Sequence, residues 1–146
     1  MDCVWWDEDA GCLACGSRNY ELTAPNAKDN AQFRSWCESD GAEQDALRAF
    51  CEARPSLVVY GEWMGERFTG AFKKYDRCAL STLLIFDVFD RGSHLYLSDD
   101  EWRSMLEKAG LAPWFVKILA VLDHPSMDDV LEIAKLTCVN ISDTNT

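Results

Sequence analysis

Two β-rich apolar runs, Leu57-Val58-Val59-Tyr60 and Leu83-Leu84-Ile85-Phe86-Asp87-Val88-Phe89, constrain this chain more than any other feature. β-Branched and aromatic residues crowd into both, so both read as strands buried in one sheet. Each carries a carboxylate: Asp87 lies within the second run, and Glu62 follows Gly61 at the end of the first. Burying a carboxylate without a partner is costly, so Glu62 requires a hydrogen-bonding role, and Asp87 reads as a structural acceptor. Period-two alternation puts Leu84, Phe86 and Val88 on one face and Ile85, Asp87 and Phe89 on the other, and leaves either face free to be core.

The surrounding segments supply helices and turns. Cys3-Val4-Trp5-Trp6 and Cys12-Leu13-Ala14-Cys15 read as the arms of a hairpin around an acidic turn from Asp7 to Gly11, with Trp5 and Trp6 on opposite faces. A loop at Thr23-Ala24-Pro25-Asn26 leads to a short helix that starts at Asp29-Asn30 and turns Phe33, Trp36 and Cys37 inward. A second helix follows Gly41, with Ala46, Leu47, Phe50 and Cys51 at helical spacing, and Pro55 closes it. Gly65 and Gly70 mark a flexible connection, and His94 to Leu97 is a short third strand. Ser98-Asp99-Asp100-Glu101 is a capping box for a helix from Asp99 to Ala109 that Gly110 stops. Ser126 opens a last helix that ends near Cys138, with Val130, Leu131, Ile133, Ala134 and Leu136 directed onto the core. The fold predicted is α+β, an antiparallel or mixed sheet flanked by helices, in a single domain over 1–139 with a frayed tail at 140–146.

Charge narrows the partners. With 25 acidic and 14 basic residues in 146, the net charge of -11 repels a phosphate backbone unless the few cations cluster, so direct nucleic-acid binding is disfavoured. Seven cysteines at irregular spacing, with no signal-peptide pattern at the start, point to a reducing, cytoplasmic setting. Cys12 and Cys15 have the spacing of half a zinc site, but no second pair completes it, and they read as two thiols on a strand. The apolar stretch from Trp114 to Leu122 is interrupted by Lys117 and is too short to span a bilayer. His94 and His124, the two histidines, have no partner at hydrolase or metal spacing.

Three segments in order, Cys15-Gly16-Ser17-Arg18-Asn19, Tyr60-Gly61-Glu62-Trp63-Met64-Gly65 and Ile85-Phe86-Asp87-Val88-Phe89, together resemble the middle of an ATP-dependent RNA ligase. In that family a lysine attacks the α-phosphate of ATP to give a covalent lysyl-AMP, and a Ser-Arg segment, a Gly-Glu strand and a Phe-Asp strand hold the nucleotide. The resemblance implies that Glu62 accepts from the ribose hydroxyls, Phe86 stacks on adenine and Arg18 holds a phosphate. It thus implies a nucleotide-binding set of Arg18, Glu62 and Phe86 for ATP or AMP, held weakly, with magnesium a feature of the parent family. No catalytic residue and no metal ligand is assigned in this chain. Read without the family, Glu62 is a strand-end glutamate paired with an arginine or water, Phe86 is a core residue, and Ser-Arg is too common to carry meaning.

The departures from the family bear on activity. No lysine precedes Lys28, and Lys74-Tyr75-Asp76-Arg77 imitates half of the nucleophile motif but lacks its glycine and reads as a surface loop. The family's later Glu-Gly strand and Lys-x-Lys strand do not follow either. The chain is therefore expected to be a truncated nucleotidyltransferase module, not an enzyme on its own, with a residual adenosine site. The alternative is a non-enzymatic acidic binding protein, of the kind viral inhibitors represent, acting on a basic nucleic-acid-binding protein. A further option is one piece of a split enzyme whose lysine comes from another polypeptide. Loss of both outer parts of the site predicts a protein partner or self-association through exposed edges and apolar surface.

Overall fold

The computed structural model describes residues 1–65 and 81–143, with side chains to 136. Strands β1 (Asp2–Asp7) and β2 (Cys12–Ser17) form the expected hairpin, with Val4 opposite Cys15. Its acidic turn is ordered by Asp7, whose carboxylate accepts from the Asp9 and Ala10 N–H groups at 3.0 and 3.1 Å. Gly11, at φ +64, supplies the left-handed residue that such a turn needs. A two-residue β3 (Tyr20–Glu21) extends the outer edge of β2, and β4 (Leu57–Met64) pairs with the free edge of β1. β5 (Thr82–Asp90) and the short β6 (Leu95–Tyr96) complete a six-stranded sheet of order β3-β2-β1-β4-β5-β6, antiparallel throughout. The architecture is α+β, as the sequence pattern indicates.

Helices α1 (Phe33–Glu38), α2 (Ala42–Ala53) and α3 (Asp99–Lys108) share one core with the sheet. Their buried residues, Phe33 and Cys37, Leu47 and Phe50, Trp102 and Leu106, meet Val4, Leu13, Val59, Ile85 and Val88. α1 begins later than the sequence suggests. Asn30, Ala31 and Gln32 all hold positive φ, which a right-handed helix excludes, and Asp29 caps the next turn by accepting from the Ser35 N–H and hydroxyl at 2.9 and 2.6 Å. α3 has both halves of its capping box, and it ends with Gly110 at φ +80 while Leu111 N–H returns to the Leu106 carbonyl. Glu43 of α2 is buried, and it ties the helix to β5 by accepting from the Thr82 hydroxyl at 2.7 Å and the Leu83 N–H at 3.0 Å.

The phase of β5 differs from simple alternation. Tyr60 faces Asp87 but the adjacent Gly61 faces Ile85, so Phe86 is the extra residue of a β-bulge. The bulge shifts the phase by one, and Val88 joins Leu83 and Ile85 in the core instead of lying with Leu84 and Phe86.

By compactness the chain divides into two units, Met1–Val116 and Lys117–Thr146. The second unit contains α4 (Met127–Asp143), opened as expected by Ser126, which exchanges hydrogen bonds with Asp129. The helix continues to Asp143, past Cys138 and into the stretch expected to fray. Val130, Leu131 and Leu136, expected to face the core, are 45, 46 and 62 % exposed. So short a unit cannot enclose a core of its own. The connection expected beyond Gly65 and the segment around Lys74 lie outside the described residues.

Candidate nucleotide-binding site

Because α1, α2 and α3 all contribute to the core on one face of the sheet, the other face carries the polar and half-buried residues. One cross-strand row, Ser17, Asp2, Gly61 and Ile85, organises the site. Each candidate stands one residue beyond this row: Arg18 after Ser17, Glu62 after Gly61 and Phe86 after Ile85. β2 and β4 run in the same direction, so Arg18 and Glu62 project past the row to the same end of the sheet, two strands or about 10 Å apart. β5 runs the other way, and Phe86 steps back beside the bulge on the strand next to Glu62. Glu62 and Phe86 thus lie on adjacent strands, and Arg18 lies two strands from Glu62.

Glu62 is exposed rather than buried, which corrects the sequence expectation. β4 alternates, so Leu57, Val59 and Trp63 enter the core while Glu62 faces out opposite Leu84. Its carboxylate lies 3.1 Å from the Met1 ammonium, both groups more than half exposed, so the pair is screened and contributes little to stability. Phe86 is half-buried and does not pack on the core cluster. Gly61 makes room for the bulge: a Cβ there would stand 2.7 Å from the Leu84 carbonyl oxygen and 2.8 Å from the Leu83 side chain. Arg18 occupies the two-residue turn between β2 and β3 at φ +50, held by its N–H to the Met1 carbonyl at 3.3 Å, with an exposed side chain.

Asp2 is the residue that sequence reasoning missed. It is 6 % exposed, and its carboxylate accepts from the Trp63 N–H at 3.2 Å and from the Asn30 side-chain amide at 3.1 Å. One buried carboxylate thus links β1, the strand that carries Glu62 and the loop that precedes α1. An aspartate next to the first residue gives no periodic or motif signal, so only the tertiary pairing exposes it. Asp87 behaves as expected, accepting from the Val88 N–H at 2.9 Å. Farther along the open face, Tyr60 and Phe89 both meet the exposed ring of Tyr96, at centroid distances of 6.0 and 5.1 Å. Burial, helped by Cys3, Tyr96 and Asp87, raises the Tyr60 phenol above its ordinary value.

The thiols are placed for packing. Cys12 is exposed and Cys15 fully buried, on opposite faces of β2, so the two cannot share a metal. Burial pushes the Cys3 thiol up to about 11 and Cys51 to about 12, and Cys37 is also raised by its hydrogen bond with Cys15 and by burial. Thiols held protonated in this way are poor nucleophiles. Among the described residues no three His, Cys, Asp or Glu side chains gather as a metal site would require. No helix among them is long and apolar enough to cross a membrane.

A sequence profile described as RNA ligase matches residues 3–145, nearly the whole chain, and the protein belongs to the RNA ligase family. No match is found among curated protein sequences. Solved structures of a Naegleria gruberi RNA ligase share the fold. The form with PPi superposes with a TM-score of 0.55 at 21 % identity, covering 90 % of this chain and 36 % of that one. The K170A mutant with ATP and Mn gives 0.50 at 26 % identity, covering 84 % and 33 %. The E227A mutant with ATP and Mn gives 0.55 at 20 % identity, covering 90 % and 37 %. The chain therefore spans about a third of the length of these relatives.

Proposed function

We propose that this chain is an RNA-ligase-like nucleotidyltransferase module that retains part of an adenosine-binding surface and does not adenylylate itself. The observation that carries the reading is the convergence of Glu62 and Phe86 on adjacent strands of the open face, with Phe86 thrust out of strand phase by the bulge opposite Gly61. Bulges recur next to functional sites because they re-aim a side chain. Phe86 offers a ring face to adenine, Glu62 offers two acceptor oxygens to vicinal ribose hydroxyls, and Arg18, towards the same end of the sheet as Glu62, offers a planar cation to phosphate. The pairing of Glu62 with an exposed ammonium leaves it accessible to a ligand, since such a pair is easily exchanged.

Residues 1–27 contain no lysine. Lys28 is the first lysine of the sequence and lies after the Ser17-Arg18 segment, where the family's reactive lysine lies before it. Incubation with ATP and magnesium or manganese, the metal present in the related ligase structures, followed by intact-mass measurement is expected to show an unmodified chain. An AMP-sized increase on any lysine, Lys74 included, would overturn the assignment. The free thiols of Cys3, Cys12, Cys15, Cys37 and Cys51 suit a reducing compartment.

A second reading draws on the other unit. Ile118, Leu119, Val121 and Leu122 are 50, 57, 88 and 41 % exposed, and α4 adds Met127, Val130 and Leu131. Such an apolar surface on a chain of net charge -11 suits a protein partner with a basic rim, or self-association.

A further inference from the structure

A cavity of about 370 Å3 lies between the start of α1 and the adjoining ends of β4 and β5, lined by Asp29, Gln32, Ser35, Trp36, Trp63 and Ser81. Its volume is at the small end of the range for ligand pockets, which suits a single long side chain. Two indoles form its walls. Trp36 is half-buried, and Trp63, 2 % exposed, stands behind it at a ring-centroid distance of 5.0 Å and an interplanar angle of 47°. Both rings are held in place. Trp63 donates its indole N–H to the Ala31 carbonyl at 3.0 Å, and Phe33 lies against Trp36 and Trp63 at centroid distances of 6.1 and 5.2 Å.

A carboxylate shares the lining with these rings, and no described cation does. Asp29 is oriented by Ser35, whose N–H and hydroxyl each donate to one of its oxygens, so each oxygen keeps a lone pair for a further donor. The cations on and beside α1 do not neutralise it, because Arg34 pairs with Glu38 and Arg48 with Asp45. The rim is preset as well. Asn30, Ala31 and Gln32 hold positive φ, and the Asn30 side-chain amide donates to the buried carboxylate of Asp2 at 3.1 Å. Backbone kept in sparsely populated conformations by such contacts concentrates at ligand clamps.

An oriented carboxylate beside indole rings complements a planar cation, since a guanidinium stacks on a ring face while its N–H groups reach carboxylate oxygens. An ammonium has neither the plane nor the fork. We propose that this cavity takes the guanidinium of an arginine presented by a basic partner protein, with Trp36 against its face and Asp29 accepting from its edge. The net charge of -11 steers such a partner towards the chain. None of the lining residues belongs to the proposed adenosine surface or to the exposed apolar residues of the second unit, so the site depends on neither reading.

Amide and indole spectra of the isotope-labelled full chain, titrated with a blocked Gly-Ser-Arg-Ser-Gly peptide, test it. The indole N–H signals of Trp36 and Trp63 and the Ser35 amide are expected to shift saturably. The same peptide with citrulline, the neutral isostere, in place of arginine should bind roughly tenfold more weakly. Asp29→Asn, which keeps an acceptor for the Ser35 N–H, should weaken binding roughly tenfold, and Trp36→Leu about threefold. Glu52→Gln, at an exposed acid outside the cavity, should leave it unchanged. Equal binding of the arginine and citrulline peptides overturns the proposal, and so does the absence of shifts at Trp36 and Trp63. An equal loss in Asp29→Asn and Glu52→Gln also overturns it, in favour of diffuse attraction to an acidic surface. Methylguanidinium that binds more tightly than the peptide overturns the protein partner in favour of a small-molecule site. If Trp36→Leu loses the dispersed spectrum of the parent chain, the citrulline peptide and Asp29→Asn still decide.

Discussion

The two faces of the sheet are built from the same strands and differ in almost every physical respect. Towards α1, α2 and α3, Val4, Val59, Ile85 and Val88 have no exposure at all. On the opposite face the same strands present Glu62, Asp87, Tyr60 and Phe89, exposed or half-buried. Strand alternation permits this division, and the bulge at Phe86 preserves it where β5 would otherwise lose phase with β4. The covered face holds the fold together, and the proposed adenosine surface lies on the other. Mutations on the two faces should therefore separate stability from ligand affinity.

Trp102→Ala gives the largest expected effect. The indole is 1 % exposed and meets Phe115 edge to face at 5.1 Å, so its removal should cost about 3–5 kcal/mol in denaturant unfolding. Phe86→Ala on the open face should cost about 1 kcal/mol. Equal losses would mean that Phe86 belongs to the core.

Glu43 adds a pH dependence on the covered face. Burial raises its carboxyl from 4.5 to about 7, with the hydrogen bonds from Thr82 and Leu83 opposing the rise. The folded chain holds this proton more tightly than the unfolded chain, so the contribution is fully present below the unfolded value and is lost as pH rises through about 7. Stability should fall between about pH 5 and about pH 8, by an amount on the order of 3 kcal/mol at most. Glu43→Gln keeps an acceptor for Leu83 and should flatten the profile. An unchanged slope would assign the dependence elsewhere.

A smaller effect is expected at the bulge. Gly61→Ala would press its Cβ on the Leu84 carbonyl oxygen, a backbone atom that moves only if the bulge opens, at a cost of about 1–3 kcal/mol. Amide exchange of β4 and β5 should increase around that position. Wild-type stability and exchange in the variant would show that the bulge does not depend on glycine.

Local chemistry made much of the fold legible in the sequence. The Ser98 capping box, Gly110 and the Pro55 stop are signals contained within a few residues, and each marks its element. The three motif segments likewise marked β2, which ends just before Arg18, and the strands that carry Glu62 and Phe86. Features set by partners distant in sequence were not legible. The phase change in β5 depends on how β4 pairs at Gly61, which alternation within β5 cannot reveal. The role of Asp2 depends on Trp63 and Asn30. The late start of α1 came from three consecutive left-handed residues, of which only Asn30 is of a type that commonly adopts that conformation. In α4 the helical spacing was readable, but spacing alone did not reveal that Val130, Leu131 and Leu136 remain exposed.

The proposed division of labour between the faces is tested most directly by titrating the isotope-labelled chain with AMP and following its backbone amides. The account predicts weak, millimolar binding, with shifts concentrated at Tyr60, Gly61, Glu62, Phe86 and Asp87 and removed by Phe86→Ala. Saturable shifts that persist in Phe86→Ala, or that centre on α1 and α2 of the covered face, would contradict it.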